Sequence, residues 1–222
     1  MNTQNKLSKA RLLLSRHGLR GFIVYLFRLI FWRCRDDNSC RIFLFELTMP
    51  RPTPESIRAA QGHTFRFATI EDIRTYRADP AWDIGDRDML AFERGDRCLL
   101  QFDGDTLVGY AWLAASSLVE LTWGFHFNMS DDTVYNYKGF TAPAYRGKGF
   151  QPLRHLKLLE YVRGTGQHRL FAYVDQMNLS SLKGLKKSGY KKAGVLRCVK
   201  NQGKLQFSLR VSNDLWSKER RT

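Results

Sequence analysis

The chain has 222 residues, 43% hydrophobic and 13% aromatic, enough for one buried core with an appendage and too few for two ordinary domains. Its formal net charge is +15, and its four cysteines, Cys34, Cys40, Cys98 and Cys198, show no C-x-x-C pair. That pattern argues against a secreted disulfide scaffold and against a metal site, and leads us to expect a reducing, cytoplasmic setting.

The charge is unevenly spread. Residues 1–35 carry eight basic side chains and no acid, which accounts for about half of the excess. Within them Phe22 to Trp32 is an eleven-residue apolar stretch interrupted by Arg28, too short for a transmembrane helix of about 20 residues. No small-residue cleavage site follows it, so it reads poorly as a signal peptide. Aromatic and aliphatic groups flanked by arginines suit a helix lying in an anionic membrane interface, with peripheral contact through residues 7–35 on the inner face. Packing on the protein's own core or on a second copy, as a homodimer, is the other reading. "RIFLFELT" then alternates as a strand, and Pro50, Pro52 and Pro54 form a linker. The expected division is an extension over 1–50, a linker over 51–62 and a domain over 63–222.

From His63 onward, "TFRFA" reads as a strand, and Thr69 caps a helix whose first turn holds Glu71 and Asp72. "RCLLQFDGDTLVGYAWLAA" is a hairpin turning at Asp103-Gly104-Asp105. "TVYNYKGFTA" is a strand that runs into "PAYRGKGFQ", and Pro152 lies in the first turn of a helix reaching about Arg163. A strand "RLFAYVD", a helix "LSSLKGLKKSG" and strands "YKKAGVLRCV" and "KLQFSLRV" complete the order. The predicted class is α+β with a mixed sheet. Nine basic residues from Lys183 to Arg210, with no acid between Gln176 and Asn213, could meet nucleic acid, anionic lipid or a polyphosphate cofactor. No motif that reads nucleic acid accompanies them.

A strand that ends in Arg146-Gly147-Lys148-Gly149 and turns into a helix presents backbone N–H groups at a positive helix end, which suits an anionic phosphate group. The loop is neither a Walker loop nor a G-x-G-x-x-G fingerprint. "APAYRGKGFQ" resembles the acyl-CoA pyrophosphate loop, [QR]-x-x-G-x-[GA], of the GNAT acetyltransferase superfamily. "TFRFATIEDI", "CLLQFDGDTLVGYAWLA" and "NLSSLKGLKKSGY" resemble that family's other segments in the same order, over roughly residues 63–211.

The resemblance implies a strongly twisted mixed sheet in which the strands 134–142 and 170–175 splay apart, with acetyl-CoA or another acyl-CoA as co-substrate and no metal. It implies that backbone groups near Gly139 and Thr141 pair with the pantetheine arm. Arg146, Gly147, Lys148, Gly149, Phe150 and Gln151 would hold the pyrophosphate, and Asn178 and Ser181 would meet the cofactor from the following helix. The implied reaction is direct attack of an acceptor amine on the thioester, which requires a group to take a proton from an amine of pKa about 10. The leaving thiolate is often aided in this family by a tyrosine at the position that is Leu185 here. The candidates for catalysis are Asp175, Tyr137 and Tyr173, with Tyr135, Glu120 and His126 on the acceptor side. Surface sugars, lipid-linked intermediates, amino acids and proteins are all open as acceptors. A CoA-binding module with weakened chemistry, acting on a membrane or partner, is the alternative that Leu185 suggests.

Overall fold

A computed structural model describes residues 39–48, 62–122, 124–202 and 204–211. The basic apolar helix expected within 1–35, and the linker apart from Gly62, lie outside the described residues. The strands are β1 (Ser39–Leu47), β2 (His63–Phe67), β3 (Arg97–Asp103), β4 (Thr106–Leu113), β5 (Leu118–Thr122), β6 (Phe125–Asn128), β7 (Thr133–Thr141), β8 (Arg169–Asp175), β9 (Lys191–Asn201) and β10 (Lys204–Val211). The helices are α1 (Ile70–Ala78), α2 (Asp86–Glu93), α3 (Phe150–Gly164) and α4 (Leu179–Lys187), and Pro143–Tyr145 form a 3₁₀ turn. Eight strands form one mixed sheet in the order β10-β9-β1-β8-β7-β4-β3-β2, and β5 and β6 form a separate hairpin. This is the α+β class predicted.

The sheet draws residues 39–47 into its middle. Strand β1 pairs antiparallel with β8 from Ile42↔Asp175 to Leu47↔Leu170, and with β9 from Ser39↔Val199 onward. Ile42 and Leu44 pack into the cluster with Tyr135, Phe171 and Leu196 on one face, while Phe45 and Leu47 join Leu158, Val162 and Leu170 on the other. A strand covered on both faces tolerates apolar residues at nearly every position, as "IFLFEL" has. The division expected at 50–62 therefore separates segments that share one sheet, and 39–47 are part of that sheet rather than of an appendage.

Local sequence explains the helices that flank the site. Thr69 and Asp72 cap α1 reciprocally, and Asp72 also takes two hydrogen bonds from Arg66 at 2.6 and 2.7 Å. Helix α3 buries Phe150, Leu153, Leu158, Leu159 and Val162, and with them the polar Arg154 and His155.

His155 is 3% exposed, with Nδ1 2.8 Å from Ser188 Oγ. The Ser188 hydroxyl gives its proton to the Gly184 carbonyl, so it accepts from an Nδ1–H of His155. Burial, helped by the neighbouring Arg154 charge, lowers the His155 pKa to about 3. An unfolded histidine titrates near 6.5, so the unfolded chain takes up this proton first as the pH falls. The contribution is complete above about pH 6.5 and is lost progressively toward pH 3. Urea denaturation of wild type and His155→Leu between pH 7 and 4 is expected to show a pH-dependent loss smaller by about 3 kcal/mol in the variant. Parallel pH profiles for the two proteins would show that His155 is not responsible.

Candidate active site

The sheet opens at β7 and β8. These strands are parallel and paired only at Thr133↔Arg169, Val134↔Leu170 and Tyr135↔Phe171. Beyond Tyr135, β7 stays with β4 as far as Thr141↔Gly109, while β8 stays with β1 as far as Asp175↔Ile42. A wedge-shaped gap results, narrow at Tyr135 and wide at Thr141. At its apex the β4–β7 register jumps from Trp112↔Lys138 to Leu113↔Asn136, so Tyr137 is an extra, bulged residue without a partner on β4. Bulges re-aim side chains and leave backbone groups outside the ladder.

At the wide end the chain passes through Pro143–Tyr145 and enters α3 through two left-handed glycines, Gly147 with φ 82° and Gly149 with φ 84°. Both φ values are disfavoured for any residue with a Cβ. The backbone N–H groups of Gly147, Lys148 and Gly149 have no hydrogen-bond partner among the described residues. They lie beside the N-terminus of a 15-residue helix, whose own first N–H groups are unpaired within the helix. Arg146 Nε donates to the Thr141 carbonyl at 3.0 Å, and Lys148 Nζ lies 5.1 Å from the Tyr145 ring centroid. Both cations are thus folded onto the same turn. These residues fit the diphosphate of CoA through backbone donors, helix end and adjacent positive charge.

Facing the apex from the side of α2 and the β5–β6 hairpin is a cavity of about 1410 Å³, lined among others by Tyr135, Tyr137, Tyr173, Asp96, Glu120 and Lys138. Tyr135 and Tyr173 stack with centroids 5.6 Å apart. The Tyr137 hydroxyl donates to Asp96 Oδ2 at 2.9 Å, and Asp96 Oδ1 accepts the Ala115 N–H at 2.8 Å. Burial first, and then the Asp96 charge, raises the Tyr137 pKa, so the phenol keeps its proton. Burial raises that of Tyr135 as well. Lys138 is paired with both oxygens of Asp88 at 2.8 Å.

The residues singled out from sequence fall into distinct places. Tyr137, Tyr173, Tyr135 and Glu120 line the cavity, and His126 faces Glu120 across the β5–β6 hairpin with Nε2 at 3.8 Å from the carboxylate. Asp175 is not among the lining residues; it stands at the open end of β8, where Oδ1 accepts the Met177 N–H at 2.8 Å. Asn178 caps α4 by accepting the Ser181 N–H at 3.2 Å. Gly139 is exposed on the gap-bearing strand, whereas the Thr141 hydroxyl is taken by Arg154 at 2.8 Å. Phe150 is buried against His63, and the Gln151 amide packs on Gly184 of α4. Leu185 is 4% exposed within the core. Sequence reasoning missed Asp96, which reaches Tyr137 across 41 positions with no local signal, and Arg154. Arg154 was detectable, because it sits on the apolar stripe of α3, four residues from both Phe150 and Leu158.

A mixed sheet splayed beside a bulged strand, with a glycine turn leading into a helix at its wide end, is the arrangement that the resemblance to the GNAT superfamily implied. No protein-family model and no curated protein matches the chain. Among solved structures it is similar to a Salmonella typhimurium protein solved with its cofactor acetyl-CoA, at 18% identity over 72% of this chain and 99% of that one, TM-score 0.45. It is also similar to a GCN5-related N-acetyltransferase-like protein from Streptococcus suis, at 11% identity over 83% and 68%, TM-score 0.47. A Drosophila protein is similar at 18% identity over 80% of this chain, TM-score 0.46, and the alignment spans 56% of that protein's length.

Proposed function

We propose that the protein is a CoA-dependent N-acyltransferase that moves an acetyl or related acyl group to an amine. The observation that carries this reading is the layout of β7, whose end leads into a turn with three N–H groups unpartnered among the described residues and whose middle carries the bulged Tyr137 beside a cavity. The five residue steps from Thr141 to Asn136 span about 17 Å of strand. An arm anchored at the turn and laid along β7 therefore delivers its thioester to the apex.

In this reading the Tyr137 oxygen accepts a hydrogen bond from the incoming amine while its own proton is held on Asp96. As the nitrogen attacks the carbonyl carbon, the amine proton passes to the Tyr137 oxygen and the phenol proton to Asp96. A backbone N–H at the bulge stabilises the oxyanion. The C–S electron pair then leaves on sulfur. The test is release of free CoA thiol from acetyl-CoA across a panel of amines. Turnover with an amine supports transfer, whereas CoA binding without any turnover supports the module reading that Leu185 suggested.

The acceptor's setting is the second part of the proposal: peripheral attachment to the inner face of a membrane, placing the site near sugar or envelope precursors. The charge and apolar run of residues 1–35 support it, as do the exposed Leu205, Phe207 and Lys204 of β10. No helix of the described residues is long and apolar enough to cross a membrane. Co-sedimentation with vesicles of graded anionic content, for the full chain and for one beginning at Asp36, which keeps β1 in the sheet, tests attachment. Equal partitioning of the two would contradict it.

A further inference from the structure

Arg154 is 1% exposed and has no carboxylate partner among the described residues. Its Nη1 donates to Gln101 Oε1 on β3 at 2.7 Å and its Nη2 to Thr141 Oγ1 on β7 at 2.8 Å, while Nε has no partner. Strand β4 makes room for it: a Cβ at Gly109 would lie 2.5 Å from Nη1. Burial lowers its pKa, but only to about 10, so the group is charged at neutral pH.

A buried cation with neutral partners is costly, and a methionine would fill similar space without that cost. Its position shows what the charge can do. Side chains on a helix lean toward its N-terminus, and the guanidinium of Arg154 reaches back to the last residue of β7. Thr141 is gripped there twice, by Arg154 at its hydroxyl and by Arg146 at its carbonyl. The 143–149 turn departs from that residue. A charge held behind the turn in a poorly screened interior acts on an anion in front of it.

We propose that Arg154 is a positioning residue for the anionic group bound in the 146–149 turn: it fixes the strand end from which the turn springs and supplies a buried, uncompensated positive charge behind it. The proposal rests on the CoA reading and adds a residue that the glycine motif does not contain.

Arg154→Met and Arg154→Lys separate charge from packing, because the two side chains are similar in length. Thermal melting and calorimetry with CoA at pH 6, where a buried ammonium is best kept protonated, are the measurements. The Met variant is expected to melt higher than the Lys variant, since it buries no charge, and yet to bind CoA about 10-fold or more weaker than wild type and weaker than the Lys variant. A role in packing alone makes the better-folded Met variant the better binder. That order of affinities, or wild-type affinity in the Met variant, overturns the proposal. If the Met variant does not fold, the Lys variant decides. Its CoA affinity is expected to fall more steeply than that of wild type between pH 6 and 9, and parallel profiles overturn the proposal. Wild-type protein that fails to bind CoA overturns the underlying reading, a result visible before any variant is compared.

Discussion

Gly149→Glu is expected to weaken CoA binding by at least about 100-fold, the equivalent of about 3 kcal/mol. Two costs combine. Gly149 has φ 84°, a left-handed conformation that costs a residue with a Cβ about 1–2 kcal/mol. The new carboxylate also places a negative charge beside the bound phosphates, and such a pair near a surface repels by a few kcal/mol. Gly149→Ala separates the two, because it carries the strain alone, and is expected to lose about 10-fold or less. Calorimetric titration with CoA reads both variants. Wild-type affinity in Gly149→Glu would remove the turn from the binding site.

Tyr137→Phe is expected to lower kcat by about 10²-fold while the KM for acetyl-CoA changes little. The substitution keeps the ring that packs 5.4 Å from Tyr135 and 6.2 Å from Trp112, and removes only the hydroxyl that donates to Asp96. Asp96→Asn leaves the hydroxyl a partner but gives the proton no carboxylate to move to, so a loss of similar size is expected. The double variant should be little worse than either single one, since the two groups act as a unit. Independent, multiplying losses would mean that the two side chains do not form one relay.

Most elements from His63 onward were legible because they rest on local signals. The cap at Thr69, the Asp-Gly-Asp turn and the glycines before Pro152 each specify backbone geometry within a few residues. "RLFAYVD" and "KLQFSLRV" coincide with β8 and β10. The place of β1 was not legible, since its pairings join it to strands more than 120 positions away. The β5–β6 hairpin read only as a connection. Helix α2 was missed because its four apolar residues, Met89 to Phe92, are consecutive rather than spaced at helical intervals and Gly85 supplies no side-chain cap; Gly85 N–H donating to Asp88, and Asp88 pairing with Lys138, help to hold it. In the site, the phosphate-binding turn was legible as a motif. The acceptor side was legible only as tyrosines alternating on strands, because Asp96 meets Tyr137 through the tertiary fold and not through spacing.

The most direct test of the account is hydrogen exchange of the wild-type protein with and without acetyl-CoA. The account predicts slowed exchange at the amides of Gly147, Lys148 and Gly149, which have no hydrogen-bond partner among the described residues, and along β7 from Tyr137 to Thr141, where the bound arm would lie. Unchanged exchange in both segments at saturating acetyl-CoA, or protection confined to other parts of the sheet, would contradict it.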